Sequence, residues 1–95
     1  MLEGEFVLKA KILVYNFVKS GLDPSDHPTF AMDEVYMVSF FFVLGNMKAL
    51  LSTTLPDGMY YEVTYDKTTG NIYLVAYKRW QQLTVRGEDV GGPTT

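Results

Sequence analysis

Between Glu3 and Ser20 the apolar positions recur every three or four residues, and from Val35 onward they fall into short runs broken by turn formers. At about 100° per residue, Phe6, Val7, Ala10, Leu13, Val14, Phe17 and Val18 share one broad stripe, with Glu5, Lys9, Asn16 and Ser20 opposite. That is the pattern of an amphipathic helix over residues 3–20. Gly21 is placed to stop it, and Pro24 forbids its continuation. Leu8, Ile12 and Tyr15 lie on a flank outside the stripe and make a second, smaller apolar patch. The segment GLDPSDHPTFAMDE (21–34) reads as a loop with room for one short helical turn.

Four strand-like runs follow. VYMVSFFFVL leads into Gly45-Asn46, a two-residue hairpin signal. MKALLSTTL leads into Pro56-Asp57-Gly58, a type I turn with glycine set for a bulge. MYYEVTYD leads into Lys67–Gly70, and NIYLVAYKRW closes the set. Loop lengths fix register. Taken at two, three and four residues, they pair Leu44 with Met47 and Phe42 with Ala49, then Thr53 with Tyr61 and Leu51 with Val63, then Tyr65 with Ile72 and Val63 with Leu74. All three registers then put Tyr36, Val38, Phe40, Phe42 and Leu44 on one face with Met47, Ala49, Leu51, Tyr61, Val63, Tyr65, Ile72, Leu74 and Ala76. Agreement among independent turns predicts an α+β fold, with the N-terminal amphipathic helix packed on a four-stranded antiparallel β-meander. The domain is expected over residues 1–84, and 85–95, within the glycine-rich RGEDVGGPTT, as a flexible tail.

The same registers set Lys48 opposite Asp66 as a cross-strand ion pair and build a second face. On it Ser39, Ser52 and Glu62 form a polar row ending at Val75. Met37, Thr54, Tyr60 and Tyr77 run along one side of that row, and Phe41, Leu50, Thr64 and Tyr73 along the other. With Val43 added, this face is too apolar to stay wet. KRWQQLTV (78–85) is long enough to fold over part of it, whereas a second copy of the chain would cover all of it.

Composition narrows the functional classes. A chain of 95 residues, 47% hydrophobic and 20% charged, is one folded domain and not a disordered segment. A net charge of −3 argues against non-specific nucleic-acid binding and is too small for an acidic mimic of DNA. The absence of cysteine excludes disulfides, thiolate nucleophiles, iron–sulfur clusters and the common structural zinc sites. Lys9 and Lys11 interrupt the apolar N-terminal region, unlike a signal peptide, and Val35–Leu44 is too short to span a bilayer as a helix. A cytoplasmic, membrane-free protein is the expectation.

Candidate chemistry is sparse. Asp23, Asp26 and His27 sit within five residues, but acids beside prolines are ordinary turn formers, and no second His or Cys completes a metal set. Glu62 could serve as a general base, yet the register brings no carboxylate or imidazole beside it, so a polar stripe within an interface is the simpler reading. Tyr60, Tyr73 and Tyr77 have the aromatic character of base-stacking platforms. They lack interleaved cations, since Lys78 and Arg79 lie at one end only, and interface packing fits them better. Trp80 reads as a cap on the core edge or an anchor for a partner. No catalytic residue, metal or cofactor is expected.

NMKALLSTTLPDGMYYEVTYD followed by YKRW resembles a family of small bacteriophage and prophage proteins, domain-of-unknown-function family 6275. The likeness runs from the N-terminal helix through Trp80 and is densest over Lys48–Tyr65. The chain departs from that pattern at Met47, where an aromatic is usual, and in its Phe-rich first strand. The resemblance implies a phage-encoded protein acting inside a bacterium, and it supplies no catalytic residues. The expected function is a non-enzymatic accessory protein. It would dimerise through the outer sheet face or the Leu8/Ile12/Tyr15 flank and bind a host or phage protein with Met37, Phe41, Tyr60, Glu62, Tyr73 and Tyr77. The alternative is a small-ligand or nucleotide-binding module on the same aromatic face.

Overall fold

A computed structural model of the chain describes residues 1–22, 29–79, 83–89 and 91–92. Helix α1 (Glu3–Gly21) is followed by strands β1 (Val35–Val43), β2 (Asn46–Thr53), β3 (Met59–Tyr65) and β4 (Ile72–Lys78). The strands form one antiparallel sheet in the order β1-β2-β3-β4, the meander that the alternating pattern predicts. Short 3-10 turns occupy Met32–Glu34 and Gly87–Asp89.

Helix α1 has Glu3 and Glu5 in its first turn and Lys19 in its last, which complements its dipole. It lies across β1, β2 and β3 and leaves β4 largely uncovered. Its buried seam is narrower than the predicted stripe. Phe6, Ala10, Val14 and Val18 are buried, Val7 and Leu13 only partly, and Phe17 is half exposed. A single helix on an open sheet touches it along one line, so residues at strict i, i+4 spacing are enclosed and their neighbours remain at the rim. Beneath them Met47, Ala49, Leu51, Tyr61 and Val63 complete the core, with Phe30 and Val35 at one end. The Phe6 and Phe40 rings meet at 6.0 Å.

The β3–β4 register is as predicted, with Tyr65 opposite Ile72 and Val63 opposite Leu74. Strand β2, however, is displaced by two residues against both neighbours: Phe42 faces Met47, Phe40 faces Ala49, and Leu51 faces Tyr61. Two turns explain this. The first hairpin turns on Leu44-Gly45, both at positive φ (51° and 84°) as a type I′ turn requires, and not on Gly45-Asn46. Asn46 begins β2, and its side-chain oxygen accepts a bond from the Lys67 N–H (3.1 Å). The second loop spans residues 54–58 and not Pro56–Gly58 alone. Thr54 is drawn off toward Glu34, whose carbonyl accepts the Thr54 N–H (3.0 Å) and whose carboxylate accepts the Thr54 hydroxyl (2.9 Å). Because β2 slid by an even number, its apolar residues kept their face.

Leu44 is 98% exposed in a left-handed conformation that a bulky side chain adopts at a cost. Leu44→Asn is therefore expected to stabilise the chain by about 0.5–1 kcal/mol. The check is urea unfolding, and a Leu44→Val variant should move the other way.

In β1 the predicted alternation fails. A bulge between Met37 and Ser39 inserts Val38 and reverses the face of everything before it. Met37 consequently pairs with Leu51 on the helix side, and Tyr36 pairs with Ser52 on the far side. Both assignments are the reverse of the simple period-two reading.

Tyr61 lies under α1, 3% exposed, with the Phe17 ring edge-on at 6.0 Å. Burial pushes its phenol pKa up, and the nearby Asp57 carboxylate adds to the rise. The folded state thus holds the Tyr61 proton more tightly than the unfolded chain does. Stability from this preference is complete below about pH 10 and is lost as pH climbs from there toward the higher folded value. The urea midpoint should fall above pH 10, and Tyr61→Phe should flatten that part of the curve.

Candidate interaction surface

The sheet face turned away from α1 is built in cross-strand rows. The first holds Tyr36, Ser52, Tyr60 and Tyr77, the second Ser39, Leu50, Glu62 and Val75, and the third Phe41, Lys48, Thr64 and Tyr73. Compared with the predicted rows, Tyr36 replaces Met37, Ser52 replaces Thr54, and Lys48 moves to the Phe41 row. These changes follow from the bulge and the slide of β2. Because β2 moved equally against both neighbours, β1 from Ser39 onward still aligns with β3 as predicted.

Five of the six predicted site residues share this face: Tyr60, Glu62, Tyr73, Tyr77 and Phe41. Met37 does not, for the reason given. Tyr36, Phe41, Val43, Tyr73, Val75 and Tyr77 are exposed along the two outer strands, whereas Leu50 and Ser52 are sheltered between them. The Ser52 hydroxyl donates to the Met59 carbonyl (2.9 Å) and so is satisfied within the sheet.

At the centre the Lys48 ammonium donates to the Glu62 carboxylate at 3.0 Å, diagonally between β2 and β3. The predicted partner, Asp66, instead accepts the Thr68 N–H (2.9 Å) and caps the β3–β4 turn. Each side chain of the Lys48–Glu62 pair is a little under one-third exposed, so the pair is worth up to about 1 kcal/mol. Lys48→Ala should lower stability by about that amount, and adding Glu62→Gln should recover part of it. A double-mutant cycle checks this.

Chemically the face can bind but has little to react with. Glu62 is held by an ammonium and has no second acid or imidazole in its row. Among the described residues no group of three His, Asp or Glu side chains converges on a common point. Asp23, Asp26, His27 and Trp80 lie outside the described residues. Of the segment expected to fold back, Leu83 and Val85 are described and exposed. At one end of the face an open notch of about 300 Å³ is lined by Tyr36, Ser52, Tyr60 and Arg79, among others. No helix among the described residues is long and apolar enough to cross a membrane.

The alternative contact flank is only partly free. Leu8 and Ile12 are exposed, but Tyr15 stacks on Phe30 at 5.6 Å, and its hydroxyl accepts a bond from Lys19 (2.9 Å). One structural residue escaped the sequence reading. The Glu34 carboxylate clasps Thr54 on one oxygen and the Ala31 N–H (2.7 Å) on the other, which ties the start of β1 to the end of β2. The only sequence signal for it is an acid three residues after Ala31, just ahead of the first strand.

A model of the family of unknown function DUF6275 matches residues 7–87, which takes in α1 from Val7 onward and the whole sheet. The chain belongs to this family. No curated protein and no solved structure matches it. As a DUF6275 member the chain inherits no assigned activity, so its function rests on the surface just described.

Proposed function

We propose that this DUF6275 chain is a non-enzymatic, homodimeric protein-interaction module that presents its outer sheet face to a host or phage protein. The observation that carries the reading is the face itself. Exposed Tyr36, Phe41, Tyr73, Val75 and Tyr77 surround one internally satisfied ion pair. Tyrosine-rich apolar surface with few free charges is the composition of protein–protein contacts. The resemblance to small bacteriophage and prophage proteins supports a phage or prophage origin and action in the bacterial cytoplasm.

The test compares affinity capture from host cells by the wild-type chain and by Tyr73→Glu/Tyr77→Glu, two exposed sites on β4. A defined protein retained by the first and lost by the second, with unchanged circular dichroism, is the expected result. Equal capture by both, or none by either, rejects the outer face as the contact surface.

The notch lined by Tyr36, Ser52, Tyr60 and Arg79 favours a second reading, a small anionic aromatic ligand stacked on tyrosine with its charge on the guanidinium. Tyrosine fluorescence during titration with adenosine monophosphate discriminates the two. Saturable quenching that Arg79→Ala removes would replace the interaction reading.

A further inference from the structure

The outer face accounts for only part of the exposed apolar surface. Strand β1 is bare on both sides of the sheet: Tyr36 and Phe41 on the outer face, Met37 and Phe42 on the helix side, with Val38 at the bulge. A partner lying on either face would leave the other side wet. Only a neighbour in the plane of the sheet covers both.

The backbone of β1 is available for such a neighbour. The Thr54 N–H bonds to Glu34, so even-numbered residues of β2 direct their backbone groups toward β1. Their partners Ser39, Phe41 and Val43 are therefore bonded inward. Phe40 and Phe42 direct N–H and C=O outward from the sheet edge, where no strand follows among the described residues.

We propose that β1 pairs antiparallel with β1 of a second copy about a two-fold axis at Phe41, which joins the two meanders into one eight-stranded sheet. This rests on the homodimer reading above and says how that dimer is built, with both outer faces left free for another partner. The outward groups sit symmetrically about Phe41. Phe40 of each copy exchanges both backbone bonds with Phe42 of the other, and the two Phe41 side chains form the closer, non-bonded pair.

Charge selects the second copy and this edge. Val35–Val43 carries no charged side chain, so it meets its own copy without repulsion, whereas the β4 edge ends in Lys78 and Arg79. A long, uncharged, apolar edge strand is what folded chains otherwise guard against. The exposed apolar side chains of β1 within the paired span (Val38, Phe41, Phe42 and Val43) offer on the order of 300 Å² per copy, well below the ~800 Å² of a standard interface. The dimer should consequently dissociate on dilution.

Three variants of the full chain test this by sedimentation and oxidation. Phe42→Pro removes an outward N–H and leaves the β1–β2 ladder intact, so it should weaken dimerisation about a hundredfold while thermal unfolding of the dilute chain persists. Phe41→Cys, in a chain with no native cysteine, should form an intermolecular disulfide about tenfold faster than Tyr73→Cys, because close-paired Cα atoms suit the bond. A dimer that survives Phe42→Pro, or Phe41→Cys chains that link no faster than the control, overturns the edge pairing and leaves a dimer built elsewhere. A wild-type chain monomeric at every concentration overturns both. Should Phe42→Pro fail to fold, the cysteine pair decides alone.

Discussion

Phe6→Ala should destabilise the chain by about 3–5 kcal/mol, the usual cost of emptying a buried aromatic site. Phe6 is fully buried and is the largest enclosed side chain that α1 contributes to the core. Its ring meets Phe40 of β1, while Ala10 next along the seam is too small to collapse into the space. Among the described residues no second layer lies over the outer side of α1 to compensate. With a domain stability of about 5–15 kcal/mol, the loss should lower Tm by roughly 12–40 °C. Far-UV circular dichroism should show α1 melting with the sheet. A cost below about 1 kcal/mol would mean that α1 is held at its other end, by Val14 and Val18.

How much of this was legible before the structure depended on the kind of signal. The helix and the four strands were legible because periodicity is strong over their lengths. The β3–β4 register was legible because Asp66 and Gly70 define a loop of fixed size, closed by the Gly70 N–H on the Asp66 carbonyl (2.7 Å). The slide of β2 was not. Leu44 takes a positive φ that its residue type disfavours, and Thr54 leaves the hairpin for Glu34, a partner twenty positions away. Nor was the bulge at Val38 visible, since an extra valine among apolar residues breaks no pattern. The outer face nonetheless kept five of its six predicted residues, because an even slip preserves the side of every side chain. Met37 was lost because a one-residue bulge does not. The exposure of Phe42 and Val38 was hidden for another reason, since alternation assigns a face but cannot say how wide a helix covers it.

That last distinction gives the second large effect. Leu51→Ala should cost about 2–5 kcal/mol, because Leu51 is fully enclosed, paired with Met37 on one side and Tyr61 on the other, on the face beneath α1. Phe42→Ala deletes a larger side chain from the same face and should cost only about 1 kcal/mol in the dilute monomer, because Phe42 is 56% exposed at the uncovered edge. The order of the two contradicts residue size and follows from where α1 lies. If β1 pairs with its copy, the Phe42 penalty acquires a concentration dependence that Leu51 lacks. The wild-type midpoint would rise with protein concentration through binding of the folded state, and the Phe42→Ala midpoint would rise less. Equal penalties for both variants in the dilute chain would show that a single copy already covers its own β1, and edge pairing would then have no exposed surface left to explain it.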